Sequence, residues 1–186
     1  VASKVGAMLR VASGDSYLYG TGTSPDILGS TQFPNIQSGT QTENYNRIDT
    51  IRVALNALET SFYPWADNLI IHPNDAMKME LLKDLEGRYL WPIFGSWANG
   101  VNAQKSLFGV PVISTTAIDE GTFIAGNFAQ GATLYQREAV SVRVSFEHLD
   151  YFQKNLMMLL VESREALVPE DGKCFYLGAF LGGDYD

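Results

Sequence analysis

Asp150 to Pro169 reads D-Y-F-Q-K-N-L-M-M-L-L-V-E-S-R-E-A-L-V-P, and the fold turns on how this stretch is read. It contains the longest apolar run in the chain, Leu156 to Val161, with Gln153, Lys154 and Asn155 before it and Glu162, Ser163, Arg164 and Glu165 after it. Six apolar residues are too few for a bilayer, which needs about 20. The run therefore reads as a buried element with wet ends. A continuous apolar run fits a helix and a strand equally well. Local propensity leans to helix, because Leu and Met favour it and only Val161 is β-branched.

The surrounding sequence narrows the class of protein. A chain of 186 residues with 46% hydrophobic content suits one domain, or one domain and part of another. Charged residues are 18%, below the usual quarter, which points to extra surface covered by partners. A net charge of −8 argues against a specific nucleic-acid site, which normally shows a basic stripe. A single cysteine, Cys174, excludes an internal disulfide and a cysteine-cluster zinc site and reads as a buried spectator thiol. No targeting segment or membrane span is legible.

In chain order, Val1, Val5, Met8 and Val11 recur at helical spacing, with Gly14-Asp15 ending that helix or a continuation running through Tyr17–Tyr19. G-T-G-T-S-P-D-I-L-G, residues 20–29, lacks the G-K-[ST] end of a P-loop and has Pro25 where a dinucleotide fingerprint would continue. It reads as a structural turn. Residues 30–45 are polar and read as an exposed loop. Ile48, Ile51, Leu55, Leu58 and Phe62 mark an amphipathic helix capped by Asn46, with Arg47, Asp49, Arg52, Asn56 and Glu59 facing away and Pro64 ending it. Asn68–His72 is a short buried strand. A second helix follows, capped by Asn74 or Asp75, with Met77, Leu81, Leu82 and Leu85 inward and Gly87 as its stop. The aromatic loop Tyr89–Trp97 suits an interface as well as it suits a core edge. Leu107–Ile113 is a strand at an edge or with a bulge, because of Pro111. Thr122–Phe128, Thr133–Tyr135, a cleanly alternating, half-buried Val140–Phe146, and Lys173–Gly178 complete the strands.

Chemistry is thin. His72 and His148 lie far apart with no ligand spacing around either, and they read as structural or surface residues. There is no G-x-S-x-G elbow, and the acid pairs Asp84/Glu86 and Glu162/Glu165 read as scattered surface charges. No catalytic, cofactor-binding or metal constellation can be assembled, so the residues alone indicate an acidic α+β domain with an assembly surface.

The succession of motifs is more specific than any one of them. A helix leads into Gly20, Gly22, Pro25, Ile27 or Leu28, and Gly29. An amphipathic helix follows, then H-P-N-D-A with L-L-K-D-x-x-G-R-Y-L (72–90), L-F-G-V-P-V-I-S (107–114), F-I-A-G-N-F (123–128), a strand, F-Q-K-N-L with E-S-R, and a closing strand. Over roughly residues 8–180 this resembles the major capsid protein of tailed bacteriophages, the Hong Kong 97-type fold. The resemblance implies an α+β fold with a mixed central sheet flanked by helices, forming an axial domain (27–146 and 165–183), plus part of a peripheral domain (1–26 and 147–164). It also implies a virion shell subunit, assembled in the bacterial host cytoplasm. Its partners would be copies of itself in pentamers and hexamers, together with scaffold, portal or decoration proteins, with no cofactor and no membrane. The N-terminal arm and extended loop of the family have no counterpart in the sequence, so a fragment or trimmed chain is expected. An encapsulin-like compartment shell is the alternative; a ligand-binding or enzymatic domain is a further one.

The same resemblance implies a strand, not a helix, at Asp150–Pro169, paired with Val140–Phe146. In the family's founding member a Lys–Asn isopeptide bond, helped by a Glu, links subunits; the Asn and Glu match Asn155 and Glu162. A Glu in an apolar pocket can serve as a base toward a Lys. Most relatives lack the bond, and packing alone, with the two residues as polar end-caps of a buried strand, is enough to account for both. Seven residues apart on a regular strand, the two would face opposite ways.

Overall fold

The computed structural model describes residues 2–24, 26–61, 65–84, 86–90, 105–145 and 153–181. Its body is a mixed six-stranded sheet. In chain order the elements are α1 (Ala2–Tyr19), β1 (Gln37–Thr40), α2 (Arg47–Thr60), β2 (Asn68–Ile71), α3 (Pro73–Glu80), β3 (Ser106–Leu107), β4 (Val110–Ser114), β5 (Thr122–Gly126), α4 (Phe128–Gly131), β6 (Ala132–Ser145), β7 (Met158–Pro169) and β8 (Phe175–Ala179). The sheet order is β1-β8-β5-β2-β4-β3. The β1/β8 and β2/β4 pairs are parallel, and the remaining pairs are antiparallel. β6 and β7 form a separate two-stranded hairpin.

Alternation along the central strands creates two cores. Leu69, Ile71, Phe123 and Ala125 join Ile51, Ala54, Leu55 and Leu58 of α2 and Ala76 and Met79 of α3 on one face. Ile124, with Ile70 and Leu177, faces the other way and meets Leu18 of α1, Phe33, Cys174 and Phe175. Ala132 and Leu167, at the base of the hairpin, pack on this second core.

α2 begins as its sequence predicts. The Asn46 side chain accepts the Asp49 N–H at 2.8 Å, and Asp49 reaches back to the Asn46 N–H at 3.3 Å, a complete capping box. Ile51, Leu55 and Leu58 are buried; Phe62 and Pro64 lie outside the described residues. Arg47 departs from the expectation. It turns inward, is 6% exposed, and pairs with the fully buried Asp75 of α3. Asp75 also accepts the Gly121 N–H at 2.7 Å, and the Arg47 guanidinium lies 5.2 Å from the centroid of the Phe180 ring.

That ion pair sets the phase of α3. With Asp75 drawn inward, Ala76 and Met79 follow it into the core, and Met77 and Leu81 are left exposed. The sequence expectation of Met77 on the inner face is therefore wrong by a rotation of the helix; Leu81 and Leu82 follow the helix, the first exposed and the second half-buried, and Leu85 lies outside the described residues. The cap is His72, whose Nδ1 accepts the Asn74 N–H at 3.2 Å, in place of Asn74 or Asp75. The helix ends at Glu80, and Gly87 (φ 79°) instead serves a turn closed by the Lys83–Tyr89 bridge.

Further expectations are corrected. Of the two ends left open for the first helix the longer is the one found, through Gly14-Asp15 to Tyr19, but Met8 and Val11, read as its apolar stripe, are exposed. Residues 30–45 are not a plain loop: Ser30–Gln32 form a 3-10 turn, Phe33 is buried, and Gln37–Thr40 pairs with β8 through main-chain bonds, an edge strand with no apolar alternation to betray it. Leu107–Ile113 splits into β3 and β4 around Phe108-Gly109, both at positive φ as a tight hairpin turn demands. Pro111 precedes the β4 residues that pair with β2, so its missing N–H interrupts nothing there. Residues 172–174 are a 3-10 turn, and the last strand starts at Phe175.

Asp75→Ala removes the buried carboxylate that meets Arg47 and accepts the Gly121 N–H, and is expected to cost about 3–5 kcal/mol in a urea-unfolding measurement. Adding Arg47→Met should recover most of that loss, short of the cost of the orphaned Gly121 N–H. Gly178 has no room for a Cβ, which would overlap the Phe123 ring. Gly178→Ala should destabilise by about 1–3 kcal/mol through overpacking. Gly6→Ala, where a Cβ meets nothing within 4 Å, should instead stabilise α1 slightly by the same measurement.

Candidate assembly surface

Residues 158–169 are a strand, as the family resemblance implies and local propensity does not. β7 runs antiparallel to β6 from Ala132↔Pro169 to Ser145↔Met158. Thr133–Tyr135 and Val140–Ser145, read from sequence as separate strands, are one 14-residue strand with register shifts on either side of Glu138. Phe146, the aromatic loop from Trp91 to Trp97, His148 and Asp150–Phe152 lie outside the described residues.

Residues directly opposite in the register share a face. One face carries the pairs Val142↔Val161 and Val144↔Leu159, an all-apolar patch. The other carries Arg143↔Leu160, Ser145↔Met158 and Ser141↔Glu162. On it Arg143 meets Glu162 at 3.2 Å, and Arg164 meets Glu138 at 3.4 Å. These pairs are largely solvated and add little stability. The shift between Glu138 and Ser141 brings Glu138 onto this face. Without it, Glu138 and Arg143 would point to opposite sides.

Neither face is covered along its outer length. Val142 is 53% exposed, Leu160 48% and Met157 61%, so the apolar run is not buried and Val140–Ser145 is not half-buried. The cause is topological. The run lies beyond the sheet body, and α1 reaches only the nearer part of the hairpin, where the Tyr17 hydroxyl donates to Glu165. Two further exposed aromatics, Trp65 (φ 36°) and Phe108 (φ 52°), border a groove with Arg52 and Glu59 near the β3 edge. Positive φ at bulky residues has no sequence signature, so this second patch was not legible.

The cross-link candidates are not brought together. Asn155 (φ 53°) sits in the turn Gln153–Asn155, outside the strand, so pleat parity does not relate it to Glu162. Met158 already lies about 13 Å along β7 from Glu162. Glu162 faces Arg143 instead of an apolar pocket.

The remaining candidates are structural in this chain. Gly22 and Gly29 in the glycine-rich loop donate their N–H groups to the carbonyls of Ile27 and Gly20. The Asp26 carboxylate accepts the Thr21 N–H at 2.8 Å, which holds its pKa below the usual value. A loop closed on itself around an anion is no phosphate cradle. His72 is a helix cap. Cys174 is buried, and burial first, then Asp171, pushes its thiol up. Asp84 and Glu86 both engage Arg88. Among the described residues no group of His, Cys, Asp or Glu is arranged to hold a metal, and no helix is long and apolar enough to cross a membrane.

Comparison with known proteins agrees with this architecture. The major capsid protein of Enterobacteria phage HK97 is 35% identical over 139 residues, covering 74% of this chain and 34% of that protein. The chain thus spans about a third of the length of this curated relative. Solved structures share the fold, among them three that cover most of this chain. The capsid of an empty GTA particle has a TM-score of 0.71 at 18% identity, covering 97% of this chain and 65% of that one. The Gordonia phage Cozz structure has a TM-score of 0.73 at 14% identity, covering 97% and 62%. The virus-like particle from Pyrococcus furiosus has a TM-score of 0.62 at 16% identity, covering 91% and 63%. The family model described as the phage capsid family matches residues 1–180, and the chain, with its mixed sheet, flanking helices and projecting hairpin, belongs to that family.

Proposed function

We propose that this chain is part of a structural subunit of an icosahedral phage capsid, which assembles with copies of itself into pentamers and hexamers around the genome. Its place is the virion shell, built in the bacterial host cytoplasm. The observation that carries this reading is the β6–β7 hairpin. A two-stranded hairpin is marginal in water, and this one shows apolar side chains to solvent on both faces. Such a surface calls for a protein partner, and the family supplies the kind: another copy.

The domain division accords with this. All six strands of the sheet fall within 27–146 and 165–183, the axial domain. Residues 1–26 and 147–164 hold α1 and most of β7 and form the peripheral part. Because β6 and β7 are one ladder, the outer hairpin works with the peripheral part although β6 belongs by sequence to the axial segment. The role is structural, not enzymatic. A compartment shell is the alternative reading of the same fold, but the curated phage relative favours the capsid reading. A nucleotide-binding role for Gly20–Gly29 is disfavoured by the closed geometry of that loop. An Asn155–Glu162 cross-link site would need its lysine, and the approach of the two residues, from neighbouring subunits.

Full-length protein is expected to form rings or shells in electron microscopy and light scattering. Val142→Asp places a charge in the apolar hairpin face while sparing the sheet body. It should keep the circular-dichroism spectrum and raise the concentration needed for assembly at least about tenfold. A wild-type protein that stays monomeric at high concentration, or a variant that assembles unchanged, would count against the proposal.

A further inference from the structure

One face of the hairpin carries a pattern that its assembly role alone does not require. Every second residue of β7 lies on it: Met158, Leu160, Glu162, Arg164, Ala166 and Val168. In chemical class these are two apolar residues, an acid, a base and two apolar residues. Read backwards the series is the same, except that acid and base change places. The opposite face is the one that meets the body, through Ala132 and Leu167 in the second core and through Glu165 at Tyr17. The patterned face stays open to the base of the hairpin, where Tyr135 is 57% and Val168 41% exposed.

Such a face is complementary to itself. A second copy can be laid against it about a twofold axis that crosses the strands between Glu162 and Arg164. Its β7 then runs antiparallel to the first. Each Glu162 faces the Arg164 of the other copy, Met158 faces Val168, and Leu160 faces Ala166. Arg143 is the register partner of Leu160, and Tyr135 that of Ala166, so the same axis brings Arg143 over the Tyr135 ring of the other copy. Within one copy Glu162 meets Arg143 and Arg164 meets Glu138, yet the two arginine side chains remain about two-thirds exposed. A guanidinium has five donors and can serve more than one carboxylate. A twofold axis along the strands would bring the two sheet bodies to the same end, whereas the crossing axis keeps them at opposite ends.

We propose that this face pairs with the same face of a second copy about that axis. From Met158 to Val168 it is about 34 Å long and only two strands wide, the scale of a weak contact that gains strength by repetition in an assembly. The apolar ends supply attraction. The central charges fix the register, because a parallel overlay would set Glu162 on Glu162. A ring of subunits is built from two different surfaces, so a self-complementary one joins ring to ring. That placement rests on the capsid reading; the pairing itself does not.

Glu162→Arg makes the centre of the face basic throughout, and Arg164→Glu makes it acidic throughout. Full-length protein is the sample, and association is read by sedimentation velocity in low salt. Each variant alone should self-associate at least about tenfold more weakly than wild type, and an equimolar mixture of the two should regain wild-type affinity. Energy transfer between the two variants, each carrying one dye of a pair, should appear on mixing and fall as salt is raised. Rescue on mixing requires both variants to be folded, so misfolding cannot produce it. A mixture no tighter than either variant alone would overturn the proposal. So would variants that associate and form shells like wild type while Val142→Asp does not, an outcome that leaves the capsid reading standing.

Discussion

Arg47 and Asp75 hold the sheet body together from inside. The pair joins the first turn of α2 to the first turn of α3, captures the Gly121 N–H ahead of β5, and lies beside the Phe180 ring after β8. Four segments distant in sequence converge on one buried charge pair. Such a pair contributes little net stability over apolar replacements, because desolvation offsets attraction. What it does is choose. With Asp75 buried, α3 has one rotation that satisfies it, and the core residues Ala76 and Met79 follow from that rotation.

The body built around this pair satisfies itself, and the hairpin does not. Inside the sheet, alternating apolar residues find cores on both faces, one under α2 and α3 and the other under α1. β6 and β7 carry the same apolar alternation outward, past the sheet and past the part of the hairpin that α1 reaches. Their main-chain groups pair with each other and their side chains are left in solvent. An element with internal hydrogen bonds and no core of its own has its packing completed by another molecule. The low charge content of the chain fits this, since surface to be covered on assembly has no need of solvating charges.

Much of the body was legible because local signals and packing agree there. The Asn46 capping box, the three-and-four spacing of Ile51, Leu55 and Leu58, and the strands at 68–71 and 122–126 each follow from a short window of sequence. Failures came where a distant partner overrides the window. Gln37–Thr40 has the composition of a loop and becomes a strand because β8 offers it main-chain bonds. Arg47 has the spacing of a solvent-facing residue and turns inward to Asp75. Asn155 and Glu162, neighbours in a motif, are separated by the turn and strand that hold them.

The sequence by itself determined the periodicity and cap of α2, the glycine turn, the absence of a recognisable catalytic pattern and, through the order of its motifs, the family. Tertiary structure alone decided the rest. It made Leu156–Val161 part of an exposed hairpin where hydrophobicity argued for burial and propensity for helix. The physical reason is that apolar composition reports only that a surface is to be covered. Whether the cover is the same chain or another depends on where the strand ends up, and this one projects beyond its own core.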